Sequence, residues 1–155
     1  LVLFGIVGAS VGSFVNVCLD RLPLQFVTDS QSEQKISLLF PSRSFCFSCE
    51  HPLSWFENIP IVSYLLLQGK CAQCQALIPQ RILWVELSHA LVYLLSWSFI
   101  SNRFLMILVC LHFSFWMICA NFYWRKIKFP AHVVIVLLLC FFFITIFLGF
   151  HAFER

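Results

Sequence analysis

Cys46-Phe-Ser-Cys49 and Cys71-Ala-Gln-Cys74 are the residues of this chain whose type and spacing point most directly to chemistry. A gap of two residues lets one tight turn aim both sulfurs at a single ion at ~2.3 Å. Two such turns, separated by 21 residues, supply the four ligands of a structural zinc site. Cys46, Cys49, Cys71 and Cys74 are therefore read as zinc ligands, with His51 the neighbouring residue able to replace one sulfur. A redox dithiol pair would use the same spacing, but no strand–helix pattern surrounds these cysteines. Cys18, Cys110, Cys119 and Cys140 lie in apolar runs and read as small buried hydrophobes.

Two further polar residues stand out because their surroundings are apolar. Glu86 lies about one turn in from Arg81 within a long hydrophobic run, and intramembrane carboxylates are candidates for function. Its structural alternative is a carboxylate that snorkels to the interface or pairs with Arg81. Asn16 follows Gly8 and Gly12 at helical spacing, with Ser13 beside them. Small residues at that spacing let a second helix approach closely, and an Asn in lipid seeks a partner. A packing seam accounts for this face, with a direct role for Asn16 in chemistry as the alternative.

The elements that must position these residues are long apolar runs. Hydrophobic residues make up 61% of the 155-residue chain, against ~45–50% in soluble domains. Charged residues make up only 11%, so lipid must solvate part of the molecule. Four stretches approach the ~20 residues that cross a bilayer: 1–19, 82–100, 104–123 and 132–150. The expected fold is an α-helical polytopic membrane protein of about four transmembrane helices. A small four-cysteine, zinc-ribbon-like domain, residues 20–81, sits between helices 1 and 2. An island of ~60 residues is near the lower limit for an unaided core, and bound metal supplies folding free energy directly. The 61–67 run, IVSYLLL, is too short to span and should pack on the zinc loops or the membrane surface.

Orientation follows from basic residues near helix ends. The loop after the third run carries Arg125, Lys126 and Lys128, whereas the loop after the second carries only Arg103. The island carries Arg21, Lys35, Arg43, Lys70 and Arg81. With four spans, the island and the basic loop share one side, read as cytoplasmic, with both termini outside. Cytoplasmic thiols stay reduced, which disfavours disulfides. The island's five basic residues balance Asp20, Asp29, Glu33, Glu50 and Glu57, so the electrostatic footprint of nucleic-acid binding is missing. The chain opens on Leu1 without a basic n-region, which argues against a cleaved signal peptide. It closes at Arg155 just after an apolar run, and a fragment is expected.

Several phrases of the sequence resemble one family. GASVGSFVNVCLDRLP, residues 8–23, resembles the first span of the type 4 prepilin peptidases. Residues 34–87 resemble that family's cytoplasmic domain, through PSRSxCxxC, NIPxxS, GxCxxC and VEL in the same order. The resemblance implies polytopic enzymes of the bacterial inner membrane that cut basic leaders from prepilins and pseudopilins of type 4 pilus and type II secretion systems. Many then methylate the new N-terminus with S-adenosylmethionine, and the cysteine-rich domain is associated with that activity or with structure. Prepilin or pseudopilin leaders and the lipid bilayer are the implied partners.

Peptidase activity in the family implies two membrane-border aspartates, the second in a G-x-G-D motif. One carboxylate takes a proton from water while the other, protonated, polarises the scissile carbonyl. This chain holds only Asp20 and Asp29, both in the island, and no G-x-G-D. Counting back from Pro130, the position of the family's first aspartate falls on Tyr123 or, with a two-residue slip, on Asn121. The expectation is a truncated or degenerate member unable to cleave, with no catalytic residue of its own. The alternatives are a retained methyltransferase and a non-catalytic scaffold or pseudoenzyme that binds pilin or secretion precursors.

Overall fold

The structure is a computed structural model that describes residues 1–27, 37–38 and 41–126, and positions 135, 136, 139, 142, 143 and 146. Its main elements are α1 (Val2–Val27), a 3₁₀ turn (Phe56–Asn58), α2 (Val62–Leu66), α3 (Gln80–Phe99) and α4 (Arg103–Trp124). Three helices are long and apolar enough to cross a membrane: Val2–Leu24, Gln80–Phe99 and Arg103–Trp124. Helices suit lipid because every interior backbone group is bonded within its own segment. The fourth expected span, 132–150, lies outside the described residues except for six helical positions, among them Leu139 and Phe142.

Helix α1 runs on past Leu19, through Asp20 and Arg21, to Val27. Asp20, Arg21 and Pro23 read in sequence as the end of a span. The charges instead find partners where they stand, and Pro23 lies inside the helix, four residues before its end. Helix α3 starts directly after Pro79. The Asn102 side chain caps α4 by accepting from the Leu105 amide at 3.1 Å.

Helices α1 and α3 lie antiparallel and pack along their length. The start of α1 meets the end of α3, where Phe4 stacks on Trp97 at 3.9 Å. The Arg103 guanidinium covers the same indole at 3.8 Å. At the other end Arg81 of α3 reaches Asp20 of α1 at 2.6 Å. Arg125, just past α4, approaches the same carboxylate at 4.0 Å, so α4 also ends at this side. Between the ends, Val15, Leu19 and Val85 form one buried cluster, flanked by Val11, Met117 and Ile118.

The glycines of α1 set the α1–α3 distance. A Cβ on Gly8 would lie 2.6 Å from the His89 carbonyl oxygen, and one on Gly12 would lie 2.8 Å from Glu86 Cα. Helices in lipid associate largely through such close packing. Gly12→Val is therefore expected to push backbone against backbone and cost about 1–3 kcal/mol. Denaturant titration in micelles measures it. Gly5→Ala is the control, since its Cβ would meet only the Leu94 side chain at 3.3 Å.

Candidate metal centre and the membrane-border cluster

Each cysteine pair sits on a short hairpin, and the two hairpins have the same construction. In the first, the Cys46 amide donates to the His51 carbonyl at 2.9 Å, and the Glu50 amide donates to the Cys46 carbonyl at 2.8 Å. In the second, the Cys71 amide donates to Ala76 at 2.9 Å, and Gln75 donates to Cys71 at 3.1 Å. Antiparallel bridges Phe45–Pro52 and Lys70–Leu77 close the hairpins. The residue after each second cysteine turns through the left-handed region, Glu50 at φ 57° and Gln75 at φ 60°. The second hairpin enters through Gly69 at φ 69°, where a Cβ would crowd the Tyr64 hydroxyl at 2.9 Å.

The hairpins bring all four sulfurs within 4.8 Å of one another. Cys46 Sγ lies 3.8 Å from Cys74 Sγ, and Cys49 Sγ lies 4.0 Å from Cys71 Sγ. Four thiolates around one ion at ~2.3 Å stand ~3.8 Å apart in a tetrahedron, so the donor set fits a metal ion. Among the described residues it is the one cluster of this kind.

The acidities of these thiols also suit a cation. Burial opposes ionisation of Cys46, but the backbone amides of Ser48 and Cys49 outweigh it and bring the thiol down to about 7. The amides of Cys74 and Gln73 lower Cys71. The His51 amide favours the Cys49 thiolate, yet burial and the three neighbouring sulfurs push that thiol up to about 12. Four sulfurs this close cannot all ionise unaided, and a divalent ion removes the conflict. His51 is not among the clustered ligands, and its Nε2 lies 3.4 Å from Glu57 Oε2.

Glu57 is buried and ties the first hairpin to the 3₁₀ turn. The Ser54 amide donates to its Oε2 at 2.8 Å, and the Ser54 hydroxyl bonds the same oxygen. The Ser54 hydroxyl and amide, helped by His51, hold the Glu57 carboxyl below its usual range. A depressed carboxylate contributes stability above its unfolded pKa and loses it as pH falls through the folded value. Glu57→Gln is expected to weaken protease resistance of residues 44–60 near neutral pH. The gap from the unsubstituted protein should start to close only once pH falls below the ordinary glutamate value of about 4.3. Proteolysis rates of both proteins across that window check it.

The metal hairpins rest on a polar cluster at one end of the bundle. Asn16, buried on α1, donates Nδ2 to the Ile82 carbonyl at 3.0 Å and accepts from Arg81 at 3.4 Å. Arg81 turns to Asp20 and Asn16, so the sequence alternative of a Glu86–Arg81 pair is not the arrangement found. Glu86 instead accepts the Ile61 amide at 2.7 Å. That amide belongs to a strained turn, Ile61 at φ 65° and ψ −51°, in which Val62 N–H bonds the Pro60 carbonyl at 2.6 Å. Arg21, also buried, sends its guanidinium into four backbone carbonyls, those of Ser37, Leu38, Pro41 and Arg43. A cavity of about 310 Å³ lies between this cluster and the hairpins, with Asn16, Asp20, Glu57, Tyr64 and Glu86 among its walls.

Sequence reasoning singles out the cysteines, Asn16 and Glu86. It misses Arg21, the Asp20–Arg81 pair and Glu57. The Ser54-x-x-Glu57 spacing carries the signal for Glu57, since a hydroxyl and a carboxylate three residues apart commonly close a helical first turn. Of the two positions at the end of α4, Tyr123 is 81% exposed, whereas Asn121 holds its side-chain oxygen inside the bundle.

Residues 6–100, most of this architecture, match the family model for the Bacterial Peptidase A24 N-terminal domain. The chain belongs to this family, the type 4 prepilin peptidases. It is 35% identical over 122 residues to a prepilin leader peptidase/N-methyltransferase of Vibrio cholerae, covering 76% of this chain and 47% of that protein. It is 37% identical to the protein of that name from Stutzerimonas stutzeri over 61% of this chain and 37% of the relative. A type 4 prepilin-like proteins leader peptide-processing enzyme of Escherichia coli is 41% identical over 61% of this chain and 38% of its own length. The chain thus spans less than half the length of these relatives. No solved structure matches it.

Proposed function

We propose that this chain is a prepilin-peptidase-family membrane protein that binds type 4 prepilin or pseudopilin leaders through its four-cysteine side without cutting them. The observation that carries this reading is the metal-type hairpin pair seated on the border cluster, inside the segment that matches the family. Zinc is the metal assigned, held by Cys46, Cys49, Cys71 and Cys74 as thiolates in a zinc-ribbon-like fold. Its part is structural: four protein sulfurs leave no open coordination position for substrate. By resemblance to the family, cleavage would need its two membrane-border aspartates. Asn121 and Tyr123, the candidate positions on α4, offer an amide and a phenol, and neither takes a proton from water near neutral pH.

The four-cysteine side is assigned to the cytoplasm of a bacterial inner membrane. Arg21, Arg81, Arg125 and Lys126 gather at that end, while Arg103 is at the other. Basic leaders would meet the exposed carboxylate of Glu50 there, with the buried Glu57 and Glu86 behind it on the cavity wall. Purified protein in nanodiscs, incubated with a prepilin, is expected to retain it in pull-down and release no leader fragment. A leader fragment would overturn the absence of cleavage, and failure of the pull-down would overturn leader binding.

A second reading, a retained methyltransferase, is favoured by the cavity. Its volume is at the lower end of the ~300–1,000 Å³ typical of ligand sites. Glu86 on its wall has no cationic partner among the described residues and offers a carboxylate to a sulfonium. S-adenosylmethionine would supply a methyl group there, and calorimetric titration with Glu86→Gln as control distinguishes this reading from leader binding alone.

A further inference from the structure

The 3₁₀ turn and α2 present side chains in two directions. Ser63, Tyr64 and Leu67 face the cavity. Val62, Leu65 and Leu66 stand at i, i+3 and i+4, share the other face, and are all exposed. Trp55, Phe56 and Ile59 extend the exposed apolar surface toward the first hairpin. Trp55 is 80% exposed and Leu66 77%. A contiguous apolar patch of this kind marks contact with a partner or a membrane.

The position of the patch names its occupant. Glu86, which holds the Ile61 amide, lies five residues beyond Arg81 on α3, roughly 7.5 Å further from the helix start. Helix α2 therefore begins inside the level of charge marked by Asp20, Arg81 and Arg125. Trp84, between Arg81 and Glu86, is exposed at that same level. The backbone is prepared for a dry setting as well. The amides at the start of α2 are bonded without water: Ile61 to Glu86, Val62 to Pro60 and Ser63 to Ile59. At its end Leu67, Gln68, Gly69 and Lys70 donate to Ser63, Leu65, Tyr64 and Leu67. Segments that contact hydrocarbon must satisfy these groups internally.

We propose that α2 and the turn before it lie in the interfacial layer of the bilayer on the side of the cysteine hairpins, with Val62, Leu65 and Leu66 against lipid. Tryptophan settles at that depth because its ring is apolar and its N–H can reach water, which suits Trp55 and Trp84. An apolar helical face buried at the headgroup boundary is a known mode of membrane contact. Such a placement requires only that the spans cross a membrane, and stands apart from leader binding.

The test uses the full chain in nanodiscs with one copy per disc. Trp55 is left as the sole indole by Trp84→Phe, Trp97→Phe, Trp116→Phe and Trp124→Phe. Its emission is expected at short wavelength and should fall by roughly half when the lipids carry bromine near the glycerol, with little quenching by iodide. Long-wavelength emission that iodide quenches and bromolipid does not would overturn the proposal. Protection from both quenchers would also overturn it, pointing to a second copy or another protein on the patch. The unsubstituted protein gives an independent reading: lipids with a photoactivated diazirine at the carbonyl level should label residues 55–67, and absence of label there overturns the proposal.

Discussion

Cys71→Ser is expected to release the metal and unfold the hairpin region, residues 44–78, while the spans stay helical. Structural zinc contributes an apparent ~10–16 kcal/mol in small zinc-dependent folds. The hairpins offer little that could replace it. Their backbone bonds are few, and the one buried cysteine among the four is Cys71 itself. Its loss leaves three sulfurs and removes the ligand whose thiolate the amides of Gln73 and Cys74 support. Purified protein should carry one zinc per chain by elemental analysis, and the variant should carry less than a tenth of that. Proteolysis should then cut freely near the hairpins. Strong chelation of the unsubstituted protein should reproduce the effect, and Cys119→Ser, within the α4 span, should leave zinc unchanged. A zinc-free natural protein that resists protease equally well would refute the assignment.

Arg21→Met should produce the next largest loss. The guanidinium is held by four backbone carbonyls, the nearest that of Pro41 at 2.7 Å. Each carbonyl left without a donor costs about 1–3 kcal/mol where water cannot reach it. Water will reach some of these, so a total of about 3 kcal/mol is expected. Arg21→Lys should rescue only part, because an ammonium lacks the planar fork that serves two directions at once. Unfolding titrations, with proteolysis at residues 37–43, measure both variants. Equal stability of the Met variant and the parent would show that this carbonyl nest holds nothing in place.

The three described spans can be read from hydrophobic length alone, because lipid requires about twenty apolar residues and little else. The metal-type cluster can be read because a two-residue gap between cysteines is a geometric statement in itself. The partners of the border residues cannot be read. Glu86 bonds a backbone amide 25 residues away, and Arg21 bonds backbone carbonyls. Backbone groups are the same in every residue, so composition carries no trace of such bonds. How far α1 runs past its apolar stretch is hidden for a related reason. Asp20 and Arg21 look like solvent-facing terminators, but Asp20 meets Arg81, which lies 61 residues along the chain. Only the folded arrangement reveals that the charge is answered.

The glycine seam also decides how molecules can travel. With Gly8 and Gly12 pressed against the backbone of α3, no gap wide enough for a peptide opens between those two rods. Among the described residues, the chamber beside Glu86 is otherwise walled by α2 and the sulfur hairpins, so a guest comes in on that side. The doorway belongs to the small polar cap, and the paired rods behind it form a closed rear wall.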